Sequence, residues 1–263
     1  MPEIPIFDSL THPTPSGEWI PGSGSGPNSL TDLLQSMAET NVQWAFAVGM
    51  PGIGGYDPAN YAAWVRQHSD ALYPVAGIAS DDLDPDGVRT GLITELKRLG
   101  YVGVKIHPRR LGVPLTDPRI AGLIAEANRR RILPMVCTYF CGGQAKHRFE
   151  YLEELLERVK GCKLVLLHGG TVRLLETIEI ARAYPDVLLD LSFTLCKYEA
   201  SSLDLDIQYA FRRFDRRICI GSDSPEFDLH TMRGRFEALS AGATSSQREN
   251  IAYRNLSRYV TEW

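Results

Sequence analysis

A (β/α)8 barrel, or TIM barrel, forming one α/β domain over residues 1–263 is the fold this sequence predicts, and three observations carry that prediction. Short β-rich apolar runs alternate with longer amphipathic stretches from end to end, the pattern of parallel strands joined by crossover helices. Eight such strand-like runs fit into 263 residues, close to the roughly 250 that a closed barrel of this kind needs. An open doubly wound sheet would place a glycine-rich phosphate-binding turn after the first run. Here Gly22-Ser23-Gly24-Ser25-Gly26 comes later, lacks the G-x-G-x-x-G spacing and reads as a flexible loop. Closure into a barrel leaves no strand edge exposed.

Taken in order, the first strand is predicted over 4–8, followed by a helix over 30–40 that Asn28-Ser29 can cap. The apolar run 42–48 is the second strand, and Asp57-Pro58 supplies a cap and a first-turn proline for a helix over 59–68. A third strand over 73–78 precedes a helix over 87–99, and a fourth over 102–106 precedes a helix over 118–131 behind Asp117-Pro118. The fifth and sixth strands, 133–138 and 163–167, flank a helix over 150–160 whose charges fall at i,i+4 spacing. Helices over 172–184 and 205–214 flank the seventh strand, 187–191. The eighth, 218–221, leads to a terminal helix over 246–259 that packs on the barrel.

Composition limits the function classes. Hydrophobic residues make up 44% and charged residues 23%, ordinary values for a chain that buries a full core. Lys plus Arg total 28 against 32 for Asp plus Glu, so no global basic field favours nucleic acid or an anionic membrane. No apolar run approaches the roughly 20 residues of a spanning helix. Five cysteines, Cys137, Cys141, Cys162, Cys196 and Cys219, with no secretory leader at the N-terminus, point to a reducing cytoplasm. Cys137 and Cys141 stand four apart, but no second pair follows, and the strand context favours buried thiols over a metal or redox pair. The expected partner is a small-molecule substrate, and a homo-oligomer is compatible with the composition.

A parallel barrel builds its active site from the C-terminal ends of its strands. This sequence places polar groups at most of them: Asp8 and His12, Lys105 and His107, Thr138, His168, Asp190 and Ser192, and Asp223. Lys105 and His107, two apart, face the same side. His68, His147 and His230 fall on helices or loops and read as surface residues. Imidazole and carboxylate donors suit Zn2+ or a similar divalent ion, which turns bound water into hydroxide near neutral pH. On this reading His12, His168 and Asp223 hold one metal ion, and Asp223 takes the water proton. The bland alternative for each histidine is a hydrogen-bonded structural residue, for Lys105 a buried ion pair, and for Arg109 and Arg110 solvated loop charges. Trp19 and Tyr139-Phe140 could floor a pocket for an apolar or aromatic substrate, or serve as lid packing.

Ile6-Phe7-Asp8-Ser9-Leu10-Thr11-His12, Gly103-Val104-Lys105-Ile106-His107-Pro108, Leu167-His168-Gly169-Gly170, Gly221-Ser222-Asp223-Ser224-Pro225 and Glu249-Asn250-Ile251-Ala252-Tyr253-Arg254-Asn255-Leu256 together resemble the amidohydrolase superfamily, specifically its amidohydrolase-related group 2. The resemblance spans the chain in order. It implies a distorted (β/α)8 barrel that hydrolyses amides or lactones or decarboxylates aromatic acids without oxidation. It also implies His12 as a metal ligand, His168 as a ligand or substrate-polarising residue, and Asp223 as ligand and general base. The chain departs from the family at two positions. The usual D-x-H-x-H opening has Leu10 where its first histidine belongs, and the strand-five histidine position falls on Thr138.

Three protein ligands still make a catalytic zinc site, with His107 or Cys137 available to compensate, whereas a carboxylated Lys105 bridging two metals would lack partners. The expected activity is therefore hydrolysis of a C–N or C–O bond, with Asp223, His168, Lys105 and His107 catalytic and Arg109, Thr138, Trp19 and Tyr139 binding substrate. One divalent ion, Zn2+, is the expected cofactor. The alternatives are a metal-independent lactonase-like or decarboxylase-like enzyme, in which Lys105, Arg109 and Arg110 supply the positive charge, and a non-catalytic barrel with a decayed site.

Overall fold

The computed structural model describes residues 3–24, 28–83, 88–140 and 148–262. Within them, eight parallel strands form one sheet in sequence order: β1 (Ile6–Thr11), β2 (Val42–Val48), β3 (Leu72–Gly77), β4 (Gly103–Ile106), β5 (Leu133–Cys137), β6 (Leu164–Leu167), β7 (Val187–Asp190) and β8 (Ile218–Cys219). The seam between β8 and β1 is stitched by single backbone bonds, Ser9 N to Ile220 O at 3.1 Å and Asp223 N to Leu10 O at 2.9 Å. The sheet is thus nearly closed into the predicted barrel. Most strand limits shift by one or two residues, and the largest shift is at the end of β1, where polar residues hide a strand from an apolar-run criterion. β1 continues through Ser9 and Thr11 to the site instead of stopping at Asp8, and the β8 ladder is only two residues long. Thr138 falls just past β5.

The helices between strands are α1 (Leu30–Glu39), α2 (Tyr61–His68), α3 (Leu92–Leu99), α5 (Pro118–Arg129), α6 (Tyr151–Arg158), α7 (Leu174–Arg182) and α9 (Leu203–Arg213), with single turns α4 (Pro108–Leu111) and α8 (Thr194–Lys197) at the mouth. Two predicted caps form: Ser29 Oγ accepts from Asp32 N at 3.1 Å, and Asp117 Oδ1 from Arg119 N at 3.0 Å. Asp57 instead closes a turn, accepting from Ala59 N at 3.1 Å, and α2 begins later behind Asn60. α3 starts at Leu92, not at 87, and Gly87 lies outside the described residues. The chain ends in α10 (Leu229–Ser240), α11 (Ser245–Glu249), a π-helical turn (Asn250–Arg254) and α12 (Asn255–Thr261), the last three covering the predicted terminal helix.

Strand alternation divides the core. Phe7, Phe46, Val75, Met135, Val165, Leu167 and Leu188 fill the barrel interior, while Val104, Ile106, Val136, Leu166 and Leu189 face the helices. The interior plug lies below the strand C-termini and forces any ligand to the mouth. Among the described residues no helix is long and apolar enough to cross a membrane, and Cys137, Cys162, Cys196 and Cys219 are free thiols. Cys141, His147, Ser25 and Gly26 lie outside the described residues.

Candidate active site

At the C-terminal mouth, a cavity of about 320 Å3 is lined by His12, Lys105, His107, Cys137, His168 and Asp223 at its base, with Trp19, Ile20, Met50, Arg109, Arg110, Tyr139, Phe193 and Glu226 around it. His12, His168 and Asp223, far apart in sequence, therefore meet. A second cavity, about 270 Å3 between α1 and α10, contains none of them.

Backbone geometry aims these side chains. Gly103 and Lys105 occupy inward positions of β4, so the Lys105 side chain rises through the barrel axis, where it is buried. His168 and Asp223 follow β6 and β8 with φ of 68° and 60°, a left-handed conformation that is costly for residues bearing a Cβ. The Asp223 N–H is spent on Leu10 O and the His168 N–H on Asp190 Oδ2 at 3.3 Å.

His12 Nδ1 lies 2.8 Å from the Val48 carbonyl, which accepts its proton. Nε2 therefore presents a lone pair, and Lys105 Nζ donates to it at 3.0 Å. Burial, reinforced by the Lys105 charge, pushes the His12 pKa down to about 4, so the ring is neutral at physiological pH. Its 3.4 Å approach to Asp223 Oδ1 is consequently not a charge pair under those conditions. Burial alone would raise the Asp223 pKa. The nearby His168 and Lys105 charges oppose it, and Asp223 is held below the usual carboxylate range. Burial lowers Lys105, opposed chiefly by Asp223.

His168 shows the reverse balance. Burial would depress its pKa, but Cys137 and Asp223 raise it to about 9. Its Nδ1 sits 3.1 Å from the Ser192 carbonyl, which accepts, and 3.3 Å from Ser192 Oγ. Cys137, against burial, is held well below the ordinary thiol value by His107 and His168. Lys105 and His168 thus share the pocket with two acidic groups, Asp223 and Cys137.

The remaining predicted residues separate into those that reach the cavity and those that do not. His107 lines it with Nδ1 buried and, among the described residues, without a hydrogen-bond partner. The Arg109 guanidinium lies 5.1 Å above the Tyr139 ring, and Arg110 Nη2 donates to Pro51 O at 3.2 Å. Trp19 stacks on His12 at 5.0 Å and donates to Glu226 Oε1 at 3.1 Å. Thr138 does not line the cavity. Its hydroxyl donates to Leu167 O at 2.5 Å and accepts from Gly170 N at 3.1 Å, because the inward register of β5 runs through Met135 and Cys137. Cys137, which the sequence reads as a buried core thiol, therefore takes the inward position at the end of strand five. The Met135/Cys137 spacing carried that signal.

Asp8 and Asp190 are architectural. Asp8 Oδ1 accepts from Leu10 N and Ser222 N, each at 3.0 Å, across the β1–β8 seam, and Asp190 accepts from Ser9 Oγ, Ser192 Oγ and Ser192 N. His68 and His230 are exposed, bonded to Trp64 O and Glu39. Phe193 and Glu226 carried no sequence signal.

The expected zinc centre does not match these donors. Both ring nitrogens of His12 are engaged, one by a carbonyl and one by an ammonium, and Leu10 of the opening motif packs in the barrel core. Among the described residues no group of three or more His, Cys, Asp or Glu is arranged to hold a metal ion.

A protein-family model described as Amidohydrolase matches residues 8–255. Among solved structures, an uncharacterized TIM-barrel protein from Bordetella bronchiseptica superposes with a TM-score of 0.78 at 18% identity, covering 97% of this chain and 98% of that one. A probable 2-pyrone-4,6-dicarboxylic acid hydrolase from Acinetobacter baumannii, with citric acid bound, gives 0.69 at 15% identity over 97% and 98%. The IDCase of Metarhizium anisopliae gives 0.63 at 12% over 97% of each chain. At these identities the likeness is one of fold. No curated protein sequence matches the chain.

Proposed function

The chain belongs to the amidohydrolase family, its match spanning residues 8–255, and from that premise we propose that it hydrolyses a C–N or C–O bond of a small organic carboxylate with Asp223 as general base and Lys105 as the principal cationic group. The observation that carries this reading is the Lys105 ammonium, donating to His12 Nε2 at 3.0 Å in a buried pocket that also holds Asp223 and His168.

Ionised Asp223 accepts a proton from a water, and the water oxygen bonds to the substrate carbonyl carbon. Negative charge develops on the carbonyl oxygen, where Lys105 and protonated His168 stabilise it in a site of low dielectric. As the C–N or C–O bond breaks, Asp223 returns its proton to the departing nitrogen or oxygen. Water is consumed, an acid and an amine or alcohol are formed, and the side chains regain their starting charges. His12, neutral and tied to Val48, orients the ammonium.

Arg109, Arg110 and His107 gather on the β4 side of the mouth, which favours a carboxylate on the substrate, while Trp19 and Tyr139 offer faces for a planar body. The neighbour described as a hydrolase of a pyrone dicarboxylic acid, with citric acid bound, supports the same substrate class.

The test is a panel of lactones, esters and amides bearing carboxylates, assayed with wild-type and Asp223→Asn protein before and after exhaustive chelation. Turnover that requires Asp223, survives chelation and incorporates one water into product is the expected result. Turnover abolished by chelation and restored by zinc would overturn the role given to Lys105, and release of CO2 instead of water uptake would overturn hydrolysis.

A further inference from the structure

The loop after β7 contains a backbone conformation that few residues adopt, and it lies directly against His168. Phe193 has φ 64° and ψ −56°, and Thr194 N donates to Ser192 O at 2.6 Å across it. This is a γ-turn of positive φ, the rare and strained form, with a bulky aromatic residue at its centre where glycine would be relaxed. Strain of this kind persists only when the surroundings over-determine it.

The Phe193 carbonyl accepts from Cys196 N at 3.1 Å and Lys197 N at 2.8 Å, and several of the other contacts involve His168. The Ser192 carbonyl that closes the turn also accepts from His168 Nδ1 at 3.1 Å. Thr194, the residue after the turn, donates its hydroxyl to the His168 carbonyl at 2.7 Å. The Phe193 ring stands nearly edge-on to His168 at 5.9 Å and to Tyr139 at 5.2 Å, and meets Phe227 at 5.5 Å. His168 is therefore held by a carbonyl at one ring nitrogen, a hydroxyl at its backbone and an aromatic edge at its side, all from three consecutive residues. Without the Phe193 ring packed against His168, Tyr139 and Phe227, nothing would hold the Ser192 carbonyl and the imidazole in this mutual position.

We propose that Phe193 is a positioning residue. Its strained turn aims the Ser192 carbonyl at His168 Nδ1, and its ring blocks the imidazole from swinging, so that Nε2 faces the cavity. The inference rests on the role given to His168 above, as a group that stabilises developing charge.

The test uses Phe193→Gly, Phe193→Ala and Phe193→Tyr in the full chain. NMR of imidazole-labelled protein, with the His168 signals identified by their loss in His168→Gln, reads the Nδ1–H proton at one fixed pH. Wild type and Phe193→Tyr should show a slowly exchanging, hydrogen-bonded Nδ1–H. Phe193→Gly and Phe193→Ala should exchange it at least about tenfold faster, with kcat down about 10–100-fold and KM within about threefold, the scale expected of a misplaced catalytic group. The glycine variant should melt above the alanine variant, since only glycine relaxes at this φ.

Wild-type exchange of the His168 proton in both the Gly and Ala variants would overturn the proposal, and so would an Ala variant that melts as high as the Gly variant. If Phe193→Gly does not fold, Phe193→Ala and Phe193→Leu, which keeps apolar bulk without an aromatic edge, decide the exchange reading in its place. Absence of any Asp223-dependent turnover would defeat the hydrolase reading without altering the exchange result, so the two failures are distinguishable.

Discussion

Lys105 Nζ lies 3.0 Å from His12 Nε2, and the other ring nitrogen of that histidine is bound to the Val48 carbonyl at 2.8 Å. The lone pair that would serve a metal ion in a typical histidine ligand here accepts a hydrogen bond from the Lys105 amine. A buried amine supplied by the chain itself thus shares the pocket with Asp223, the carboxylate proposed as base.

Replacing Asp223 with Asn keeps its volume and removes its basicity. Turnover should fall about 10²–10⁴-fold, the range for loss of a general base, with an unchanged circular dichroism spectrum. Full activity in this variant would end the assignment of Asp223.

Lys105→Met removes the ammonium while preserving most of its stem. Activity should drop about 10²–10³-fold, as when one donor to a developing oxyanion is lost. Because the Lys105 charge helps hold Asp223 ionised, the acidic limb of the residual pH–rate profile should move to higher pH. Lys105→Arg should not restore the rate, since a planar guanidinium does not fit a buried site shaped for a compact ammonium.

The pH–activity profile follows from two groups whose values move apart. Asp223, held below the usual carboxylate range, is ionised and competent as a base at neutral pH. His168, raised to about 9, is protonated below that value and loses its charge as pH rises through it. Activity should therefore be level through neutral pH and decline as pH rises through about 9, and His168→Gln should abolish the alkaline decline along with much of the rate.

Stability should respond to Asp8. Burial pushes its carboxyl up to about 7 from an unfolded value of 3.8, so between those values the folded chain binds more protons than the unfolded chain. The stability contribution of this group is thus greatest below about pH 4, declines as pH rises, and is at its lowest above about 7. Asp8→Asn retains the acceptor for Leu10 N and Ser222 N and cannot ionise. Its melting temperature should exceed that of wild type at pH 8 and converge on it near pH 4, with a difference on the order of a few kcal/mol at the alkaline end.

Arg109→Ala should raise KM about 10–100-fold for substrates bearing a carboxylate and leave kcat within severalfold, consistent with a group that binds without entering the reaction. Equal losses for a carboxylate substrate and its neutral ester would remove Arg109 from substrate recognition.

The barrel was legible because its strands are apolar and its helices amphipathic, periodicities that local sequence expresses directly. Most of the mouth was legible too, since strand-end positions in a parallel barrel converge, and His12, Lys105, His107, His168 and Asp223 all line the cavity. Thr138 was misplaced by one residue of register, and a shift of one along a strand reverses the facing of a side chain, so Cys137 took the inward position.

Residue types and order along the chain were enough to determine the eight-strand barrel, the polar ring at its C-terminal end and the leucine at position 10. Only the tertiary structure decided what that ring does with its charges. Whether the lone pair of His12 meets a metal ion or an ammonium depends on where a lysine from a strand 93 residues away brings its terminal nitrogen. The turn at Phe193 is likewise a product of assembly. Neither the strain of one residue nor the solvation of a buried ion exists until distant segments pack around it, and local sequence encodes neither.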